Sequence, residues 1–427
     1  MMESALSPPL PIAIPARCEK SAGSHDRCVP LAVTAERLGA LRRRFGITRV
    51  GDTTLLDRTG IPTATAIVPA SPDLISVYNG KGTSRNASYV GAVMEAVERQ
   101  VTAAPTLETF RAPVREILQQ LDLRAMGLRR EALHFEATCV WGTDLLSGRS
   151  VAVPLANVQC PWFGDPLYDV TSTNGLASGN TLVEALYHAL CEMIERHVWA
   201  LHHARSRLLP RVVFGENAAD RSSVLDVRLP TGSAAIDALA QLLAAQDVTL
   251  RLLWLEEGSL PHVMVASVFD PHLSPPMLHM GFGCSLSPEH AALRAITEAI
   301  QCRVADMQAA REDLMRPDDP PRGRIEHARR SHALPTGAWF FDAPAHDVVA
   351  FDRLPDRSTP DLAEDLRRVV ASLREIGASA VVAVEMTPGE TEFSVARTIV
   401  PELETLMIDG RLGKWTSGIL NPFSMIR

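Results

Sequence analysis

Three stretches of this chain align with one another without a gap: VMEAVERQV at 93–101, LCEMIERHV at 190–198 and ITEAIQCRV at 296–304. Each has helical spacing, carries a glutamate at the same place and closes on valine. Each also follows a glycine-bearing segment: NGKGTSRNAS before Glu95, STNGLASGNT before Glu192 and GFGCSLSP before Glu298. Gly82 and Gly179 stand thirteen residues ahead of their glutamates and Gly283 fifteen ahead. A fold for this chain must therefore accommodate one unit, glycine turn then helix then acid, three times over.

The second copy indicates what such a unit holds. In GNTLVEALYHALCEMIER, residues 179–196, Glu184, His188, Glu192 and Glu195 fall at i, i+4, i+8 and i+11 and share one helix face. Leu182, Leu186, Leu190, Met193, Ile194 and Val198 flank them, too apolar for an exposed helix, so the acids look into protein or a cleft. Taken alone the stripe also reads as a solvated face with Glu192 paired to Arg196, and the threefold recurrence outweighs that reading. In the first copy Glu95 and Glu98 stand at i,i+3; in the third, Arg294, Glu298 and Gln301 stand at i, i+4 and i+7. Converging helices would crowd Glu95, Glu98, Glu192, Glu195 and Glu298, which cannot all stay ionised without a counter-charge. Hard carboxylate oxygens favour Mg²⁺ or Ca²⁺, and Mg²⁺ completes its shell with water and substrate phosphates, which points to a nucleotide. Glycine turns feeding helix N-termini offer backbone N–H groups to phosphate, and Lys81 in GKG adds a positive charge. The chain has no GxxxxGK[ST] loop, so this would not be a Walker-type site.

Length and composition set outer bounds. A chain of 427 residues, 46% hydrophobic, suffices for one large domain or two to three smaller ones. A net charge of −8 argues against nucleic acid as the main partner. Seven scattered cysteines without a CxxC pair read as reduced thiols of a cytoplasmic protein, and Cys191 and Cys302, inside helices among apolar neighbours, as inert ones. No run approaches the ~18 apolar residues of a membrane span. Residues 1–33 read as a flexible tail, 34–310 as an α/β core with interleaved strands and helices, 311–360 as a Pro-rich loop region and 361–427 as the C-terminal α/β part of the same domain. Within the core, residues 86–103 and 287–309 read as helices, 110–135 as a charged helical stretch, and LLSGRS as the turn of a hairpin.

These residues resemble the YcaO family. FGITRVGDTTLLDRTGIP, NGKGTSRNASYVGAVMEAVER, STNGLASGNTLVEALYHALCEMIER and ALRAITEAIQCR are similar to its successive signatures and cover about residues 45–310. The resemblance implies a YcaO-type α/β fold of mixed sheets that binds ATP and Mg²⁺ and phosphorylates the oxygen of a backbone amide. It implies that Glu95, Glu98, Glu192, Glu195 and Glu298 are Mg²⁺-binding acids, and that Lys81, Asn180, Glu184, Arg196, Arg294 and Gln301 contact the nucleotide. The expected outcome is a thioamide in a ribosomally made peptide or in a protein; azoline cyclodehydration is the alternative enzyme reading, and a non-catalytic ATP-binding protein the alternative of another class. Azoline-forming members carry a PxPxP tail where this chain ends LNPFSMIR. The implied partners are a peptide or protein substrate and a TfuA-like or leader-peptide-binding protein, with homodimerisation common in the family.

Overall fold

The three repeated stretches fold as strand then helix, with elements numbered here in chain order. Strand β3 (Val77–Lys81) runs into α2 (Arg85–Ala103), β7 (Leu176–Gly179) into α3 (Leu182–His203), and β11 (Met277–Ser285) into α5 (Pro288–Gln308). Glycine brings each strand onto its helix. A Cβ on Gly80 would lie 1.9 Å from the Ser88 carbonyl oxygen, on Gly281 2.2 Å from that of Ala295, and on Gly283 2.1 Å from that of Ala291. A Cβ on Gly179 would lie 2.7 Å from the Ala185 nitrogen. Only glycine lets two backbones approach so closely. Beyond what spacing alone suggests, Gly179 and Gly283 serve the close packing of strand on helix. The third helix matches with buried Ala291, Ala292, Ala295 and Ala299, and starts at Ser287, whose hydroxyl accepts from the His290 amide, with Pro288 in the first turn.

The computed structural model describes residues 8–169, 171–215, 224–273, 277–311 and 347–421. Most of the Pro-rich segment expected over 311–360 lies outside the described residues. The chain divides into a larger unit (Leu31–Ala96, Val198–Ser358, Gly418–Arg427) and a smaller one (Met1–Pro30, Val97–His197, Thr359–Ser417). Among the described residues no helix is long and apolar enough to cross a membrane.

In the larger unit, after helix α1 (Leu31–Arg44), an antiparallel sheet is formed by β1 (Arg49–Asp52), β2 (Thr63–Ile67) and β3. A second sheet has the order β11-β10-β9-β8-β12, with β8 at Leu225–Val227, β9 at Thr249–Leu255, β10 at His262–Asp270 and β12 at Asp347–Val349. Helix α4 (Ala234–Ala244) and α5 supply Ile236, Leu243, Ile296 and Ile300 to a core that includes Leu252 and Met264 of this sheet. Beneath it a buried ionic cluster ties loop, strand and helix. Arg303, fully buried, donates from Nε to Asp57 at 3.0 Å and from Nη2 to Asp270 at 2.6 Å, while Arg58 reaches the other Asp270 oxygen at 2.7 Å. Burial alone would raise the Asp270 pKa, but the bonds from Arg58, the His272 amide and Arg303 hold it below the usual carboxylate value.

The smaller unit is built on a sheet of order β4-β5-β13-β14-β7, with β6 paired to β5. Its strands are β4 (Phe110–Pro113), β5 (Glu136–Asp144), β6 (Arg149–Pro154), β7, β13 (Val382–Glu385) and β14 (Ser394–Ile399). The LLSGRS turn closes β5 onto β6 with Gly148 at φ 68°. The helical stretch expected over 110–135 is corrected: 110–113 is strand, pairing Phe110 with Cys139, and only Val114–Ile117 is α-helical. Pro113 and the tertiary pairing override local charge pattern there.

Part of the segment expected as tail is tied down within this unit. Cys28 and Val29 donate their amides to one Glu184 oxygen at 2.7 and 3.3 Å; Arg27 reaches the other at 3.2 Å. The Asp26 carbonyl meets His188 Nε2 at 3.2 Å, and Lys20 pairs with Asp26 and Asp365, the latter on α6 (Leu362–Glu375). Asp361 caps α6 through the Ala363 amide and also accepts from the Cys18 amide.

Three outcomes follow from this packing. Gly281→Ala costs about 2–3 kcal/mol or more, whereas Gly51→Ala, with nothing within 4 Å of its Cβ, stays within about 0.5 kcal/mol of the wild type by thermal denaturation. Arg303→Gln leaves two buried acids short of a counter-charge and costs about 3–5 kcal/mol. Because the Asp270 pKa is depressed on folding, its contribution is present above the ordinary carboxylate pKa and lost as pH falls through the folded value, so acid melts of Arg303→Gln flatten relative to the wild type. Glu184→Gln turns one acceptor oxygen into a donor facing donors, and limited proteolysis then cuts within residues 18–30 faster than in the wild type.

Candidate functional site

The aligned acids make the same bond in every copy. Glu95 accepts the Asn79 amide at 3.0 Å, Glu192 the Gly175 amide at 3.1 Å and Glu298 the Phe282 amide at 3.3 Å. The donors precede their acids by 16, 17 and 16 residues. One oxygen of each carboxylate is thus fixed to the backbone leading into its own helix, by a charge-assisted bond that favours the ionised form.

In the larger unit these bonds gather Lys81, Glu95, Glu298 and Gln301. Lys81 forms an ion pair with Glu298, the two side chains being 20% and 21% exposed. Gln301 donates to the Asn79 carbonyl at 2.6 Å, and the Asn79 side chain accepts from Thr65 at 3.0 Å. Its Nδ2 is buried and has no hydrogen-bond partner among the described residues. Arg294 is half-buried, its Cβ against Gly283. Burial, and then the Glu298 charge, push the Cys302 thiol up to about 12, in keeping with an inert thiol.

The smaller unit holds Glu98, Asn180, Glu184, Glu192, Glu195 and Arg196. Arg196 lies 3.7 Å from Glu195. Glu195 is buried, and Glu192 is half-buried. Glu184 is unlike the other acids: besides Arg27, Cys28 and Val29, it accepts from the Asn180 amide at 2.9 Å and the Asn180 side chain at 3.0 Å. Five protein donors fill an acceptor with about four lone-pair sites. Glu184, expected as a nucleotide contact, is held by its own chain, because the 26–29 segment folds over it.

Two residues that sequence spacing does not single out belong to these groups. Asn79 joins Glu95 to Gln301 through its backbone. Arg397, on β14, is 7% exposed, with Glu192 and Glu98 among the charges acting on it. An arginine inside the apolar strand pattern FSVARTIV was the available signal.

Among the described residues, no group of three or more His, Cys, Asp or Glu side chains is arranged to hold a metal ion by itself. Mg²⁺ bound together with a nucleotide needs only one or two carboxylates, with phosphate and water completing the shell. The buried, unpartnered Asn79 Nδ2 and Arg397 Nη1 are donors of the kind that meet anionic oxygen.

Comparisons with known proteins bear on the family of this chain. Residues 79–404 match the family model described as YcaO cyclodehydratase, ATP- and Mg²⁺-binding. An uncharacterised protein of Methanothermobacter thermautotrophicus is 32% identical over 393 residues, covering 90% of this chain and 97% of that one. An uncharacterised protein of the tfuA 3′ region of Rhizobium leguminosarum bv. trifolii is 33% identical over 394 residues, covering 89% of each. The structure of YcaO from Methanopyrus kandleri, bound with AMPPCP and Mg²⁺, superimposes with a TM-score of 0.65 at 24% identity over 91% of this chain and 95% of its own. With a family match over most of its length and a relative of the same extent, this chain belongs to the YcaO family.

Proposed function

We propose that this protein uses ATP and Mg²⁺ to phosphorylate the oxygen of a backbone amide in a peptide or protein, and that an external nucleophile then replaces the phosphorylated oxygen. The observation that carries the reading is the carboxylate held by a backbone amide in all three copies, at Glu95, Glu192 and Glu298. In our reading these acids, with Glu98 and Glu195, bind Mg²⁺, while Lys81, Arg196, Arg294 and Gln301 contact the nucleotide. Asn180 does so from the position that the saturated Glu184 gives it.

Such a site performs phosphoryl transfer by alignment and charge neutralisation rather than by a protein nucleophile. Bound Mg²⁺ would supply neutralisation of the triphosphate. The amide oxygen attacks the γ-phosphoryl group, the bond to ADP breaks, and the amide carbon becomes electrophilic. Attack by sulfide at that carbon and departure of phosphate leave a thioamide, the product we favour. The relative from a tfuA region supports this choice and a TfuA-like partner that delivers sulfur or substrate. The family description as cyclodehydratase favours a second reading, attack by a substrate Cys, Ser or Thr side chain to give an azoline.

Titration calorimetry tests the site. ATP binds the wild type in a Mg²⁺-dependent manner, and Glu192→Gln or Glu298→Gln weakens binding by about tenfold or more while each variant stays folded. Unchanged binding in both would remove the acids from the site. With a cognate peptide, a mass gain of sulfur minus oxygen marks a thioamide and loss of water an azoline; binding without turnover of any peptide would leave only the non-catalytic reading.

A further inference from the structure

Strand β14 is buried at all its six positions, yet its fourth residue is Arg397. A guanidinium in such a place is costly unless an opposite charge compensates it. Its hydrogen bonds go to neutral carbonyls, from Nε to Asn157 at 3.0 Å and from Nη2 to Ser172 at 2.7 Å, and they supply no charge. Nη1 is buried without a hydrogen-bond partner among the described residues. Burial depresses its pKa to about 10; Cys160, Glu192 and Glu98 oppose that fall, and Arg99 adds to it.

The bonds of β14 lead on to one of these acids. Ser172 opens a short turn that ends at Gly175. Arg397 holds its first carbonyl, and the next residue, Thr398, donates its amide to the carbonyl of Gly175 at 2.7 Å. Arg99 reaches the Thr173 hydroxyl at 3.3 Å. The turn closes on Gly175 at φ 79°, where a Cβ would lie 2.6 Å from the Thr398 carbonyl oxygen. The amide of that glycine orients Glu192. At the end of this turn an N–H thus points at a carboxylate.

We propose that Arg397 is a positioning residue of the nucleotide site, acting through Glu192: it holds the Ser172–Gly175 turn that orients this carboxylate, and sets a permanent positive charge near it. The inference rests on the reading of Glu192 as a Mg²⁺ ligand. It adds a residue of the C-terminal part of the chain to a set drawn from residues 79–310.

Mn²⁺ binding, counted by electron paramagnetic resonance in the presence of a non-hydrolysable ATP analogue, tests it without reference to turnover. The variants are Arg397→Gln, Arg397→Lys and, as a comparator, Val382→Ala, which opens a cavity in β13 of the same sheet. Arg397→Gln weakens Mn²⁺ binding by about tenfold, the range for residues that orient a metal ligand. Arg397→Lys, which keeps the charge but not the fork of donors, falls between it and the wild type. Val382→Ala lowers the melting temperature and leaves Mn²⁺ affinity unchanged. Equal Mn²⁺ affinity in Arg397→Gln and Val382→Ala would overturn the proposal, as would wild-type affinity in Arg397→Lys where Arg397→Gln does not fold. A wild type that binds no Mn²⁺ with the nucleotide would instead sink the metal assignment of Glu192 and this proposal with it.

Discussion

The repeated unit depends on the contact between a strand and the helix that follows it, made without side chains. Where Gly80, Gly179, Gly281 and Gly283 stand, no Cβ fits, so strand and helix backbones meet directly. In the first and third copies the same closeness brings a strand amide, at Asn79 or Phe282, within reach of a glutamate on the helix. A larger residue at the strand position would push the helix away and break that bond. Packing and site geometry are therefore one constraint. A charge-assisted bond of this type contributes about 1.5–3 kcal/mol, comparable with the cost of partly desolvating the acid, so it orients more than it stabilises.

Charge balance is settled locally in each group. Lys81 stands on Glu298 and Arg196 near Glu195, while Arg397 supplies a positive charge that Glu192 and Glu98 feel. Opposite charge at this range favours the ionised form of a carboxylate. The Lys81 pair is about one-fifth exposed, so water partly screens it. Arg303 between Asp57 and Asp270 is the opposite case. Fully buried and held by two acids, it serves the fold and has no room to exchange.

The repeat was legible because acids at fixed spacing on an apolar helix are a strong signal, and helices read over 86–103 and 287–309 occur at Arg85–Ala103 and Pro288–Gln308. The role of the glycines was not. Spacing cannot distinguish a glycine that bares its N–H from one that lets a helix approach. Residues 26–29 looked like tail since the acid that holds them lies 156 positions away from Cys28, and Arg397 looked incidental since its partner Asn157 lies 240 positions away. Over 110–135, charge spacing suggested helix, and pairing of Phe110–Pro113 with β5 decided for strand. Apart from the glycines, what was missed depends on partners distant in the chain.

Saturation, rather than position on a face, separates the acids of α3. Glu184 and Glu192 lie two turns apart on one side of the helix and look alike in sequence. Glu184 is fully buried and receives five bonds from four neighbouring residues. A cation could bind it only by displacing the N-terminal segment and stranding those donors, each at about 1–3 kcal/mol. Glu192 is half-buried, and it accepts the Gly175 amide on the strand side. An acid whose lone pairs are spent on its own backbone is an anchor of the fold. The stripe therefore begins as an anchor for the N-terminal segment, held at Glu184 and at His188, which meets the Asp26 carbonyl, and passes to Glu192, which turns to the Gly175 amide instead.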